Sequence, residues 1–370
     1  MAVFINHQYL ISGLGEGLDQ HFDAMQNGHS SVRKMDQLGH TAPFFGSAIP
    51  EELLGGYAHS SKCMSVFAKV IDEMIDASGI DLSAPDTLLL LATTKGPVDL
   101  LGTTAVEGGV MGSLISFLQQ KYATYHAPQL ISVACVSGIA ALHWAKKYID
   151  SGKYQQVLVA AADTLTPFVV SGFQSFKSLE NGICKPYDAD RMGLNIGEAG
   201  AAAVLSKQQA SSSDIEVLGG GCCNDANHIS GPSRTGDGLA ISIQKALEEA
   251  GLEAGEIDAI NAHGTATPFN DEMESKAFHL AGISEKPVNS FKAYFGHTLG
   301  VAGLLEALIA GEQIKRQQLL GTLGFSNAGT SLPLNVNAAT TNCEMQVLLK
   351  TGSGFGGMNH ALLLKGERND

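Results

Sequence analysis

Two segments of this chain align without a gap at an offset of 162 residues, the spacing between Cys135 and His297. They are VACVSGIAALHWA at 133–145 and FGHTLGVAGLLEA at 295–307. Gly138 falls on Gly300, Ala140 on Ala302, Leu142 on Leu304 and Ala145 on Ala307. In each, a short strand is expected to enter a turn of small residues and then a helix, with Cys135 or His297 at the turn. Such a repeat restricts the chain to a duplicated fold, with chemistry where the equivalent helix starts meet.

The rest of the sequence fits that frame. Thr87–Ala92 is an apolar run of strand length, preceded by a helical pattern over 61–78 with Phe67, Val70, Ile71, Met74 and Ile75 on one face. Residues 157–162 and 201–206 are expected as strands, and 241–250 as a helix stopped by Gly251. Strands alternating with helices imply an α/β architecture. At 370 residues the chain is long enough for two units of ordinary size. The expected division is 1–212, carrying Cys135, and 213–370, carrying the histidines, with 210–213 as the nearest approach to a loop cluster. The net charge of −14 argues against nucleic acid or an anionic membrane surface as partner. No apolar run approaches bilayer length, and no basic residue precedes Arg33, so neither a span nor an export signal is expected and a cytoplasmic protein is the simplest reading.

Six cysteines, at 63, 135, 184, 222, 223 and 343, form no CxxC pair and have no histidine at zinc-finger spacing, so free thiols are expected and no metal. Cys135 stands out among them. It follows the apolar stretch 130–134 and precedes a helical pattern over 137–147, and a helix start favours the thiolate. Small neighbours Ala134, Ser137 and Gly138 leave room for a substrate. Two histidines occupy comparable places: His263 in NAHGTATP after the apolar 257–260, and His297 in SFKAYFGH, five residues after Lys292. GSGFGG at 352–357 matches a GxGxxG pattern, but 358–365 reads as a strand and the sequence provides no acidic residue about 20 positions on, so a dinucleotide site is excluded. A glycine turn that brings backbone N–H groups to a substrate oxygen fits better.

Seven segments, in order, carry a resemblance: ISGLGEGLDQHFDAMQNG, VACVSG, KPYDADRMGLNIGEAGAAAVL, NDANHISGPSRTG, EIDAINAHGTATPFND, NSFKAYFGHTLGVAGLLEA and GSGFGGMN. The sequence resembles the β-ketoacyl-[acyl-carrier-protein] synthases of the thiolase-like superfamily, in the elongating branch with a Cys-His-His triad. The resemblance implies two pseudo-duplicated halves in a layered αβαβα arrangement. It implies an acyltransferase in which Cys135 takes an acyl group from a carrier-protein thioester. His263 and His297 bind a malonyl thioester and promote its decarboxylation, and the enolate condenses with the acyl-Cys135. The N–H groups of Cys135 and Phe355 are the implied oxyanion hole, Phe355 the gate, Lys292 and Glu306 the electrostatic support, and Thr265 and Thr267 the pantetheine contacts. No enzyme-bound cofactor is implied, since phosphopantetheine arrives on the acyl carrier protein. The implied assembly is a homodimer, or a heterodimer with a chain-length-factor-like subunit.

Departures from the family pattern cluster near the acyl pocket and gate. Val136 follows Cys135 where serine is usual, the segment 91–96 (LATTKG) replaces a glycine-rich one, Ser353 replaces an aromatic, and the start lacks the common TG-x-G run. They point to a divergent secondary-metabolic enzyme of aryl-polyene or flexirubin type. A non-decarboxylating thiolase or CoA-primed synthase would show a second catalytic cysteine, or an asparagine for one histidine. A non-catalytic chain-length factor would lack Cys135. Asp188, Arg191 and Glu198 are expected as a buried ion-pair network, Cys222, Cys223, His143 and Trp144 as packing residues, and Asp225 and His228 as parts of a structural loop. Lys62 and Lys69 are expected on a helix face that is either solvated or a carrier-protein dock.

Overall fold

The alternation of apolar runs and amphipathic helices resolves, in a computed structural model describing residues 2–102 and 109–366, into two copies of one strand pattern. The first set is β1 (Phe4–Ser12), β2 (Thr87–Ala92), β3 (Gln129–Ile131), β4 (Gln156–Asp163) and β5 (Ala199–Ser206). The second is β6 (Ile215–Asn224), β7 (Ala259–Asn261), β8 (Val288–Asn289), β9 (Val347–Gly354) and β10 (Met358–Lys365). Read outward from the centre of the sheet, the orders are β1-β5-β4-β2-β3 and β6-β10-β9-β7-β8, the same permutation twice. Directions match too. β4-β2-β3 and β9-β7-β8 run parallel, and the strands inside them pair antiparallel. The sets join where β1 pairs with β6, Phe4 opposite Glu216 and Ile5 opposite Ile215.

Besides a short helix at Leu18–Gln26 and a helical turn at Lys292–Phe295, the helices among the described residues are α1 (Lys62–Ser78), α2 (Gly109–Tyr122), α3 (Ser137–Asp150), α4 (Pro167–Ser175), α5 (Asp237–Ala250), α6 (Pro268–Leu280) and α7 (Ala302–Arg316). Local chemistry sets their ends. The Ser61 side chain accepts from Cys63 N–H at the start of α1, and Gly79, at φ 66°, closes it. Thr166 caps α4 ahead of Pro167, and Gly251, at φ 69°, ends α5 as the sequence predicts.

Strand alternation assigns the layers. In β2, Leu88, Leu90 and Ala92 enter a central core with α3 and α7, while Leu89 and Leu91 face an outer core with α1 and α2. In β9 and β10, Leu348, Leu362 and Leu364 join the same central core, while Leu349 and Leu363 face α5 and α6. The result is the five-layered αβαβα fold with α3 and α7 in the middle. Two glycines let those helices touch: a Cβ on Gly138 would lie 2.6 Å from Leu304 N, and one on Gly303 would lie 2.5 Å from Ile139 N. This contact brings together the two helix starts that carry Cys135 and His297.

Several local expectations change. The strand before Cys135 ends at Ile131, because the chain leaves the sheet to form the turn. His297 is reached through a helical turn, Lys292–Phe295, and followed by a 3-10 turn, Leu299–Val301, rather than entered from a strand. Trp144 and Cys222 are exposed, not packed. The expected Asp188–Arg191–Glu198 network divides in two. Glu198 pairs with Lys62, while the Arg191 Nε faces Asp271 at 3.7 Å and Asp188 accepts from Ser326 and Asn327. Lys69 is buried and paired with Glu16 and Glu73, so it and Lys62 are both engaged within the chain.

Candidate active site

Cys135 sits between two opposed preferences of its local chain. Ala134 lies in the left-handed region at φ 51°, which reverses the backbone immediately before the helix. Ser137 secures the turn: its Oγ donates to the Ala134 carbonyl at 2.6 Å and accepts from Val133 N–H at 3.0 Å. Gly354, at the end of β9, passes close over it, since a Cβ there would lie 3.1 Å from Cys135 N. The next residue, Phe355, directs its N–H to the Cys135 sulfur. The thiolate expected from the helix start is not what results. Desolvation pushes the thiol up to about 11, against the lowering pull of Lys292 and the Phe355 N–H. Cys135 rests as a thiol because burial outweighs Lys292 and the Phe355 N–H.

The loop after β7 carries His263. Gly264 and Ala266, at φ 42° and 63°, give it a tight path, and a carboxyl on α6 fastens it. Glu274 Oε1 accepts from His263 N–H and Oε2 from Gly264 N–H, each at 2.8 Å. Tyr187 Oη and Asn270 Nδ2 donate to the same carboxyl at 2.9 Å. Its neighbour Asp271 is pushed up to about 7 by burial and by Glu274.

His297 is braced differently. Its backbone N–H donates to the Asn195 carbonyl at 2.7 Å, and its own carbonyl accepts from Gly197 N–H at 3.0 Å. Nδ1 accepts from Leu299 N–H at 3.3 Å, which assigns the ring hydrogen to Nε2. That buried Nε2 has no partner among the described residues. The two imidazoles meet edge to face, with centroids 5.0 Å apart and planes at 85°. Both are held well below the ordinary imidazole range, first by burial and then by buried lysines, so both are neutral.

Cys135, His263, His297, Thr265, Thr267, Ser353 and Phe355 line one cleft of about 330 Å³. The two threonine hydroxyls are 2.9 Å apart. Phe355 is exposed at the mouth, stacked on Phe173 at 6.0 Å and edge-on to Phe176 at 5.4 Å. Lys292 and Glu306 do not line the cleft. They form a fully buried ion pair behind it, and the Lys292 charge is felt by both histidines and by Cys135. GSGFGG forms the β9–β10 hairpin, with Gly356 and Gly357 at φ 83° and 80°, and a strand, not a helix, follows it.

Sequence reasoning missed Lys350, Glu274, Asp271 and Tyr187. Lys350 left a signal: a lone cation in the apolar run VLLKTG. The carboxyls left a weaker one, at the start of α6. Among the described residues no group of three or more His, Cys, Asp or Glu is placed to hold a metal, and no helix is long and apolar enough to cross a membrane.

Comparison with known proteins agrees with this geometry. The N-terminal domain of beta-ketoacyl synthases matches residues 106–211, and the C-terminal domain matches 215–326. The 3-oxoacyl-[acyl-carrier-protein] synthase 2 of Vibrio cholerae serotype O1 is 31% identical over 64% of this chain, which spans 61% of that relative's length. A ketosynthase solved in complex with its chain length factor, from Xenorhabdus doucetiae, superposes with a TM-score of 0.87 at 24% identity, over 99% of this chain and 98% of that one. A ketosynthase solved with a type II polyketide acyl-carrier protein superposes at 0.84 with 21% identity, over 99% of both chains. With both domain descriptions matched in order across the duplicated fold, this chain belongs to the beta-ketoacyl synthase family.

Proposed function

We propose that this protein is a β-ketoacyl-[acyl-carrier-protein] synthase that performs decarboxylative condensation in fatty-acid or polyketide and polyene synthesis. The observation that carries the reading is the orphaned Nε2–H of His297, buried beside a neutral His263 in the cleft that also holds Cys135. Two neutral imidazoles offer hydrogen-bond donors without a competing charge, which suits an enolate oxygen.

In the first step the Cys135 sulfur attacks an acyl thioester. The acyl–sulfur bond to the carrier breaks, and the Cys135 proton ends on the departing pantetheine sulfur. The N–H groups of Cys135 and Phe355 receive the tetrahedral oxyanion. In the second, a malonyl thioester loses carbon dioxide, and the electron pair passes into an enolate whose oxygen is held by His263 and His297. The enolate carbon attacks the acyl-Cys135 carbonyl and expels the cysteine sulfur as a thiolate, which takes a proton from water. Thr265 and Thr267 bind the pantetheine arm, Phe355 gates the mouth, and Lys292 and Glu306 set the field around the histidines. The enzyme itself binds no cofactor, and the phosphopantetheine belongs to the acyl carrier protein. The units 1–212 and 213–370 each supply one side of the cleft, and the protein works in the cytoplasm.

A second reading concerns assembly. A chain-length-factor partner accompanies a ketosynthase of this fold, and heterodimer formation with such a subunit is compatible with the same active site. Intact-protein mass spectrometry with acyl-carrier proteins tests the reaction. An acyl adduct on the wild type that is absent from Cys135→Ala is expected, and an adduct persisting on the variant overturns the assignment.

A further inference from the structure

Lys350 interrupts the buried strand β9 between Leu349 and Thr351, its side chain only 1% exposed. Its Nζ donates to Glu306 Oε2 and, at 3.4 Å, to the carbonyl of Ala262, the residue before His263. In the parallel ladder Lys350 lies opposite Asn261, so strand and side chain together grip the segment that presents His263. Lys292 occupies the other oxygen of Glu306, five residues before His297. One carboxyl thus bridges two buried ammonium groups, each tied to the segment of a different histidine.

Neutralising Glu306 needs a single cation, and Lys292 already provides it. A second buried ammonium carries a desolvation cost that a merely structural pair does not require. We propose that Lys350 is a positioning residue for the decarboxylation step: held on Glu306 and on the Ala262 carbonyl, it fixes the His263 segment and adds a buried positive charge beside both imidazoles. This inference rests on the function proposed above.

The groups that face Lys350 define its field. Glu306 comes from α7, Lys292 from the turn before His297, and Glu274 from α6, while Leu362 opposite on β10 is apolar. Burial and Lys292 bring Lys350 down to about 8, against the pull of Glu306 and Glu274. The sign of its effect follows. A nearby ammonium disfavours the imidazolium, so its removal raises the pH at which the histidines protonate. The loss falls on the acid side of the rate profile. On the alkaline side, where Lys350 itself has shed its proton, wild type and variant converge.

The test is the pH profile of malonyl-carrier-protein decarboxylation by full-length wild type, Lys350→Gln, Lys350→Met and Lys350→Arg, with Cys135 acylation read in parallel by intact mass. The acid limb is expected to move up by about one pH unit in the Gln and Met variants, about tenfold in rate at a fixed acidic pH. Acylation should stay within about threefold, and Lys350→Arg should restore the limb. An unmoved limb, a loss uniform across pH, or an equal loss of acylation overturns the proposal. If the uncharged variants do not fold, ring-nitrogen NMR shifts of the wild type decide it: both histidines must remain neutral down to about pH 5, well below the ordinary value. A ring that titrates at the ordinary value overturns it. A wild type that neither decarboxylates nor acylates refutes the functional reading, while the histidine titrations of wild type and Lys350→Gln, read by the same NMR shifts, still judge Lys350: equal titrations overturn it.

Discussion

At residue 134 and again at residue 296 the backbone enters the left-handed region, at φ 51° and 73°, and the following residue is delivered to one cleft at the start of a central helix. The first turn delivers Cys135 half-buried, its sulfur under the Phe355 N–H. The second delivers His297 fully enclosed, its backbone clamped by Asn195 and Gly197, with Lys292, Lys350 and Glu306 behind it. The two turns are also joined: Asp163, at the end of β4, accepts from Gly300 N–H at 2.8 Å, so the first half holds the second half's turn. A duplicated backbone places two side chains together, and divergence in what packs around each turn leaves one a thiol at the cleft and the other a neutral imidazole with a buried N–H.

The largest way to break this comparison is to remove the residue at each turn. Cys135→Ala should abolish the acyl adduct and reduce condensation at least about a thousandfold, since no other thiol lies in the cleft. Residual turnover near wild type would show that the first turn is not the nucleophilic one. His297→Ala should lower decarboxylation about a hundredfold or more, as expected for a lost oxyanion donor, while acylation of Cys135 falls far less. Equal losses in both half-reactions would erase the division of labour.

A third measurement reads the protonation of the first turn. With Cys135 pushed up to about 11, the rate of its alkylation by iodoacetamide should rise about a hundredfold from pH 7 to pH 9, following the thiolate fraction. A rate that levels off below pH 8 would restore the activated thiolate. The smallest effects concern the backbone. In Gly296→Ala a Cβ would lie 2.8 Å from the Ile196 carbonyl in a left-handed conformation, so urea unfolding should show a loss of about 1–3 kcal/mol. Ala134→Gly relieves the same strain at the other turn and should gain, or lose, less than about 1 kcal/mol. Opposite ranking of the two variants would mean that the turns are not equivalent.

Much of this molecule was readable from short segments. The strand Thr87–Ala92, the helix closed by Gly79 and the hairpin at 352–357 each depend on neighbours in the chain. So did the residues of the cleft, because Cys135, His263 and His297 sit in distinctive polar or small-residue turns at the ends of apolar runs. The supporting shell did not read out in the same way. Glu274 holds Tyr187 from 87 residues away, Lys350 meets Glu306 across 44, and Asp163 holds Gly300 across 137. Lone charges such as Lys350 and Glu274 are visible in the sequence, but their partners are not.

By itself the sequence determined the duplicated turns, the alternation of strand and helix, and the residue types at the chemical centre, because periodicity and backbone preference act over a few residues. The tertiary structure alone decided the protonation of those residues. A helix start at Cys135 argues for a thiolate, yet burial between β9 and the central helices makes it a thiol. Histidines flanked by glycine carry no sign of their charge, yet enclosure with Lys292 and Lys350 makes both neutral. Desolvation depends on everything that packs around a group, and only the folded chain brings those parts together.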